Sequence, residues 1–204
     1  PAEAIAPIQI NGESHVITYL EGENKVSINQ SALSSSNLTA SPAGISVAKD
    51  AKLTIDSEPG HQGSIEVLNN TSVSRTGAAI GGSGEQDAGT IHIKGGTVIA
   101  KMTYYDSRGA AIGASVGKSV EEIRISGGTV TAETTSYGAG IGTGSASGNN
   151  RTGKIVIEGG TVNASSGSGA GIGSGYGYVP GSSAIIAKIE IHGGMITAYS
   201  EQGA

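Results

Sequence analysis

The stretch KIVIEGGTVNASSGSGAGIG, Lys154 to Gly173, holds both elements from which the second half of this chain is built. The first is Ile155-x-Ile157-x-Gly159-Gly160-x-Val162-x-Ala164, and the second is the turn Gly169-Ala170-Gly171-Ile172-Gly173. The first pattern also starts at Ile91, Ile123 and Ile189, and the second also spans Gly77 to Gly81, Gly109 to Gly113 and Gly138 to Gly142. From Ile91 to Ile123 is 32 residues, from Ile123 to Ile155 is 32, and from Ile155 to Ile189 is 34. Length varies in the connecting tracts while the patterns keep their internal spacing. A fixed period with two-residue alternation of Ile and Val, and without a 3.6-residue period, describes stacked strands and not a helical repeat. The expected fold is all-β: a right-handed parallel β-helix with coils of about 30 residues, each giving two or three short strands.

Alternation assigns the side chains to two faces. Ile91 and Ile93 point inward, His92 and Lys94 outward, and each later coil repeats the assignment. One outward column reads His92, Arg124, Val156, Glu190 and the next Lys94, Ser126, Glu158, His192, which are mixed solvated faces with no shared chemistry. The Gly-Gly pairs at Gly95, Gly127, Gly159 and Gly193 each follow a strand and mark a sharp corner, where glycine takes positive φ without a Cβ penalty. Val98, Val130, Val162 and Ile196 begin the next strand, and Ala100, Ala132, Ala164 and Ala198 face an interior with little room.

Composition agrees with a thin aliphatic core. Of 204 residues 35 are glycine, and Trp, Phe and Cys are absent, so a core of large rings and a disulfide scaffold are both excluded. A net charge of -5 offers no broad basic surface, and nucleic acid is not an expected partner. No apolar run approaches membrane length, so membrane insertion is not expected. Before Gly77 the pattern is degenerate, although Ala43-Gly44-Ile45, Leu53-Thr54-Ile55 and Ile65-Glu66-Val67 have the form of the same elements. The expected division is residues 1–42 as an N-terminal cap with the first irregular strands, His15 to Leu20 and Lys25 to Asn29, and residues 43–204 as the β-helix. Gly203-Ala204 falls where the next turn would begin, and further repeats or domains of the same polypeptide are expected as partners.

Gly138 to Gly142 followed by Lys154 to Gly160 resembles the glycine-rich repeats of large surface and secreted proteins of Gram-positive and gut bacteria. It is also similar to the β-helical carbohydrate-binding domain family that includes polygalacturonate-binding proteins. The resemblance covers about Ala43 to Ala204 and implies an extracellular or cell-surface protein whose partner is a polysaccharide or host glycan. It implies no ligand residue, because no family ligand motif is present here.

Two segments approach known binding motifs. Gly113 to Ser119 resembles a phosphate-binding P-loop, but three residues separate its glycines where four are required, and a strand follows it instead of a helix. Gly81 to Asp87 comes near the calcium-binding G-G-x-G-x-D repeat, which works by stacking of successive copies and occurs here once. No cofactor is expected, calcium being the one cation its oxygens suit. The acidic residues are scattered, and the four histidines show no metal-ligand spacing. No catalytic residue and no metal ligand is therefore assigned.

With Phe and Trp absent, the large aromatic side chains are seven tyrosines. Tyr104, Tyr105, Tyr137 and Tyr199 fall between the alanine that ends a strand and the next Gly-Ala turn, which would gather them along one edge. Tyr176 and Tyr178 lie in the longest insertion. A phenol offers an apolar face to a sugar ring and a hydroxyl to its rim, and these six are the expected ligand-binding residues, the alternative being that they cover the edge of the core. The sequence is read as a non-catalytic carbohydrate-binding or adhesive module. Two other classes remain: part of a glycoside hydrolase or polysaccharide lyase whose groove is completed beyond Ala204, and a structural spacer.

Overall fold

The computed structural model describes residues 5–29, 40–58, 60–71, 76–84, 86–146, 149–177 and 183–202. The described residues form eighteen strands and no helix. The strands come in threes, each three making one rung. The first rung is β1 (Ile8–Ile10), β2 (His15–Leu20) and β3 (Glu23–Asn29), and the second is β4 (Ile45–Val47), β5 (Lys52–Ser57) and β6 (Ser64–Asn70). The third is β7 (Ile80–Gly81), β8 (Ala88–Ile93) and β9 (Thr97–Met102), and the fourth β10 (Ile112–Gly113), β11 (Val120–Ile125) and β12 (Thr129–Thr134). The fifth is β13 (Ile141–Gly142), β14 (Asn149–Ile157) and β15 (Thr161–Ser166), and the sixth β16 (Ile172–Gly173), β17 (Ser183–Ile191) and β18 (Met195–Ser200).

Strands in the same place of successive rungs pair in parallel, giving three six-stranded sheets. The architecture is a parallel β-solenoid with about 33 residues per turn. Register keeps like residues in columns: Ile91, Ile123, Ile155 and Ile189 align in the second sheet, and Val98, Val130, Val162 and Ile196 in the third. The inward columns are buried as the alternation requires, with Ile91, Ile93, Ile123, Ile125, Ile155 and Ile157 all fully enclosed. The alanine column Ala100, Ala132, Ala164 closes the narrow side of the core. Residues 8–29, the expected strands of the cap among them, supply the first strand of every sheet, so stacking begins well before residue 43.

Two glycine positions make this cross-section possible. The second glycine of each Gly-Gly corner, such as Gly128 at φ 80°, turns the chain from the second sheet into the third with a left-handed backbone. The last glycine of each Gly-Ala turn below the sixth rung lies where an added Cβ would strike the carbonyl of its counterpart one rung above, as Gly113, at φ 136°, would strike that of Gly142. That turn is a tight inward bend. The N–H of Ala110 donates to the carbonyl of Ala114 at 3.0 Å, as Ala78 does to Gly82 at 2.8 Å and Ala139 to Thr143 at 3.0 Å. Ile80, Ile112 and Ile141 at its tip reach into the core and are fully buried. Because entry and exit of the bend lie side by side, the tract leaving the third sheet comes next to the tract entering the second.

Candidate functional site

The corner between the third sheet and the Gly-Ala bend is fixed from inside by polar groups. Asn69, wholly buried, donates to the carbonyls of Pro42, Gly77 and Ala78 at 3.2 Å each and accepts from the Thr71 hydroxyl at 2.7 Å. The same column runs through Met102 to Thr134 and Ser166, two and three rungs later, whose hydroxyls donate to the carbonyl of Gly138 at 3.1 Å and 2.7 Å. These bonds satisfy groups that a corner without strand partners would leave buried and unpaired.

On the outside of this corner the chain sets out its aromatic side chains. The Tyr104 and Tyr105 rings lie 4.5 Å apart between centroids, and Tyr137 and Tyr176 lie 5.8 Å apart, each pair tilted by about a third of a right angle. The Arg108 guanidinium sits over the Tyr137 ring, 5.9 Å from its centroid, and Asp106 holds the Arg108 Nε at 3.5 Å. Tyr105 is 77% exposed and Tyr176 49%, so ring surface faces outward. Hydrogen bonds to backbone carbonyls join the tracts that bear the two pairs: the Thr135 hydroxyl donates to the Tyr104 carbonyl at 3.0 Å, Tyr137 N–H to that of Ser107 at 3.1 Å, and Tyr176 N–H to that of Tyr137 at 2.7 Å. The hydrogen bond with Tyr104 raises the Tyr105 phenol above its ordinary range.

The structure thus brings together four of the six expected tyrosines, Tyr104, Tyr105, Tyr137 and Tyr176. Tyr178 lies outside the described residues. Tyr199 departs from the expected placement: it belongs to β18, in register with Ser165 and, through it, Glu133 and Lys101, on the outer face of the third sheet. The last strand continues two residues past its alanine before the corner begins. Arg108 was not among the expected residues, although its place three residues after Tyr105 in a variable tract was the available signal. Gly113 to Ser119, the stretch resembling a P-loop, is the end of β10 and the corner leading into β11. In the near-repeat of the calcium motif, the Asp87 carboxylate accepts from the Ser119 N–H at 2.9 Å and so ties the third rung to the fourth.

The outer faces carry ladders of opposite charge. Lys94 meets Asp56 at 2.9 Å, Arg124 bridges Glu122 and Glu158, and Lys101 meets Glu133 at 3.0 Å. Desolvation pushes the Asp56 carboxyl upward, but hydrogen bonds from Lys94 and the Ser57 N–H outweigh it and hold the group below the carboxylate range. His92 is half-buried with a ring nitrogen 3.0 Å from the Ser126 hydroxyl, and burial, then the charges of Lys52, Arg124 and Lys94, push its imidazole down. These carboxylates are committed to neighbouring cations and not set in pairs across a groove, as glycoside hydrolysis requires. Among the described residues no group of three or more His, Asp and Glu is placed to hold a metal ion, and no helix is long and apolar enough to cross a membrane.

A family model described as a beta helix repeat matches residues 91–116, 123–145 and 155–176. The chain carries β-helix repeats. Each match begins on the inward Ile of the second sheet and ends just past the Gly-Ala bend, so the repeat unit includes the tract that bears the ridge tyrosines. β-Helix repeats occur in enzymes as well as in binding and structural modules. No curated protein and no solved structure matches the chain.

Proposed function

We propose that this β-helix repeat domain is a non-catalytic carbohydrate-binding module of an extracellular or cell-surface protein, and that its ligand lies along the ridge of Tyr104, Tyr105, Arg108, Tyr137 and Tyr176. The observation that carries the reading is the stacked group of Arg108, Tyr137 and Tyr176 beside the Tyr104–Tyr105 pair, in a chain with neither Phe nor Trp. Pyranose rings offer flat C–H faces that pack on phenol faces, while equatorial hydroxyls need donors and acceptors at the rim. The ridge supplies both, with phenol hydroxyls, the Arg108 guanidinium and the Asp106 carboxylate bordering the apolar faces. The rigid bends beneath it limit the ordering cost of binding. A polysaccharide has repeated units and would span both tyrosine pairs at once.

Calorimetric titration with soluble oligosaccharides, run beside an assay for reducing ends and unsaturated products, tests the reading. The expected result is saturable binding without product, weakened in Tyr105→Ala and Tyr176→Ala variants that keep the wild-type circular dichroism. Product formation would move the domain to the enzyme class. Absence of binding to any glycan would leave the ridge as a cover for the edge of the core.

A further inference from the structure

The corner between the second and third sheets is longer in the second rung than in the rungs that follow it. Three residues join β8 to β9 and β11 to β12, ending in the Gly-Gly pair, whereas six join β5, which ends at Ser57, to β6, which begins at Ser64. The longer connection is fastened to its neighbours. The His61 N–H donates to the Glu58 carbonyl at 3.0 Å, His61 Nδ1 lies 3.6 Å from a Glu21 carboxylate oxygen, and the Gly63 carbonyl accepts from the Thr97 N–H at 2.9 Å. Beside it lies a cavity of about 460 Å³, within the range of about 300–1,000 Å³ usual for small-molecule sites. Glu58, His61 and Gln62 line it from the second rung, Gly95, Gly96 and Thr97 from the third, and Thr129 from the fourth. It lies on a different corner from the tyrosine ridge.

We infer that this cavity is a second ligand site and that it holds one neutral sugar unit. The lining selects the ligand by elimination. Among its described residues there is no Lys or Arg to attract a phosphate, sulfate or uronate, and the Glu58 carboxylate repels one. No Leu, Ile, Val, Met or Tyr among them offers an apolar ligand a surface, and no group of three acidic or His side chains among the described residues is placed to hold a cation. What remains is a set of hydrogen-bonding groups of both kinds. Among the described residues, no hydrogen bond or ion pair takes up the side chains of Glu58, Gln62, Thr97 or Thr129. A carboxylate accepts from two neighbouring hydroxyls, an amide donates and accepts, and a threonine hydroxyl does either, which matches a sugar with hydroxyls on adjacent carbons. Gly95 and Gly96, without side chains, let the ring approach the backbone. Bound by hydrogen bonds alone, a single sugar is held at about the millimolar level, too weakly to stay on a washed surface.

Amide NMR spectra of the isotope-labelled chain, recorded while glucose, galactose, mannose or N-acetylglucosamine is added, test this, with glucuronate and inorganic sulfate as anionic controls. The expected result is that at least one neutral sugar shifts the amide signals of Gln62, Gly95, Gly96 and Thr97, and that neither anion does. Glu58 and Thr129 are exposed, so Glu58→Ala and Thr129→Val should fold, as far-UV circular dichroism checks. They should weaken the response about tenfold and about threefold, the charged acceptor counting for more. Tyr105→Ala should leave it unchanged, so the ridge and the cavity succeed or fail separately. Shifts confined to the ridge, an equal or larger response to glucuronate or sulfate, a response that both cavity variants leave unaltered, or no shift with any of the sugars would overturn the inference.

Discussion

Arg108 has no counterpart in the repeat, yet it organises the ridge by lying over Tyr137 while Asp106 steadies it from the side. Arg108→Lys keeps the charge but loses the planar stacking surface, so glycan affinity should fall in that variant as well, measured by the same titration. Tyr105, the most exposed ring of the ridge, gives the larger effect: Tyr105→Ala should weaken binding about tenfold, or about 1.4 kcal/mol, with no change in melting temperature. His92 reports on the outer face through pH. Its folded pKa is lowered, so between that value and the ordinary one of about 6.5 the unfolded chain binds more protons than the folded one. Its contribution is therefore complete above about pH 6.5, declines as pH falls through this window and levels off below the folded pKa. Thermal melts from pH 7.5 to 5 should show a fall in stability that is shallower in His92→Gln.

The bend and the corner are the elements on which the stack depends, and both were legible as glycine patterns. The alternation of Ile and Val placed the inward columns correctly because a two-residue period admits one inward assignment per strand. The depth of the Gly-Ala bend was not legible, because the bond from Ala110 to Ala114 joins residues four apart across the two-residue strand β10 and has no signature in residue type. Tyr199 was misplaced for a related reason: a strand's end is set by pairing with its neighbour, and β15 holds β18 as far as Ser200. A pair of substitutions separates backbone strain from stacking in the bend. Gly113→Ala meets both an unfavourable φ and the Gly142 carbonyl, whereas Gly173→Ala, at φ 139° on the last rung, meets only the Ala170 methyl at 3.3 Å. The backbone costs about 1–3 kcal/mol in each case, and Gly113→Ala should be the more destabilising of the two by chemical denaturation. Ile123→Ala, a cavity in the middle of the stack, should cost about 2–5 kcal/mol.

At the scale of the molecule, the solenoid converts sequence distance into a short rise, so tracts some thirty residues apart become neighbours along one edge. That conversion made four tyrosines into a ridge, and it was readable in outline as soon as the period was known. The partnership of Arg108 with Tyr137 was not, because it depends on the path of the corner between them. The same stacking rule that buries Ile155 leaves Ile189 exposed. The most direct test of the central claim is a glycan array probed with the wild-type chain and with a Tyr104→Ala, Tyr105→Ala, Tyr137→Ala triple variant, with and without calcium, after both are shown to be folded. The account predicts that the wild-type chain binds a restricted set of glycans and that the folded triple variant binds none of them. Equal binding by the two proteins, or no binding by either, would contradict it.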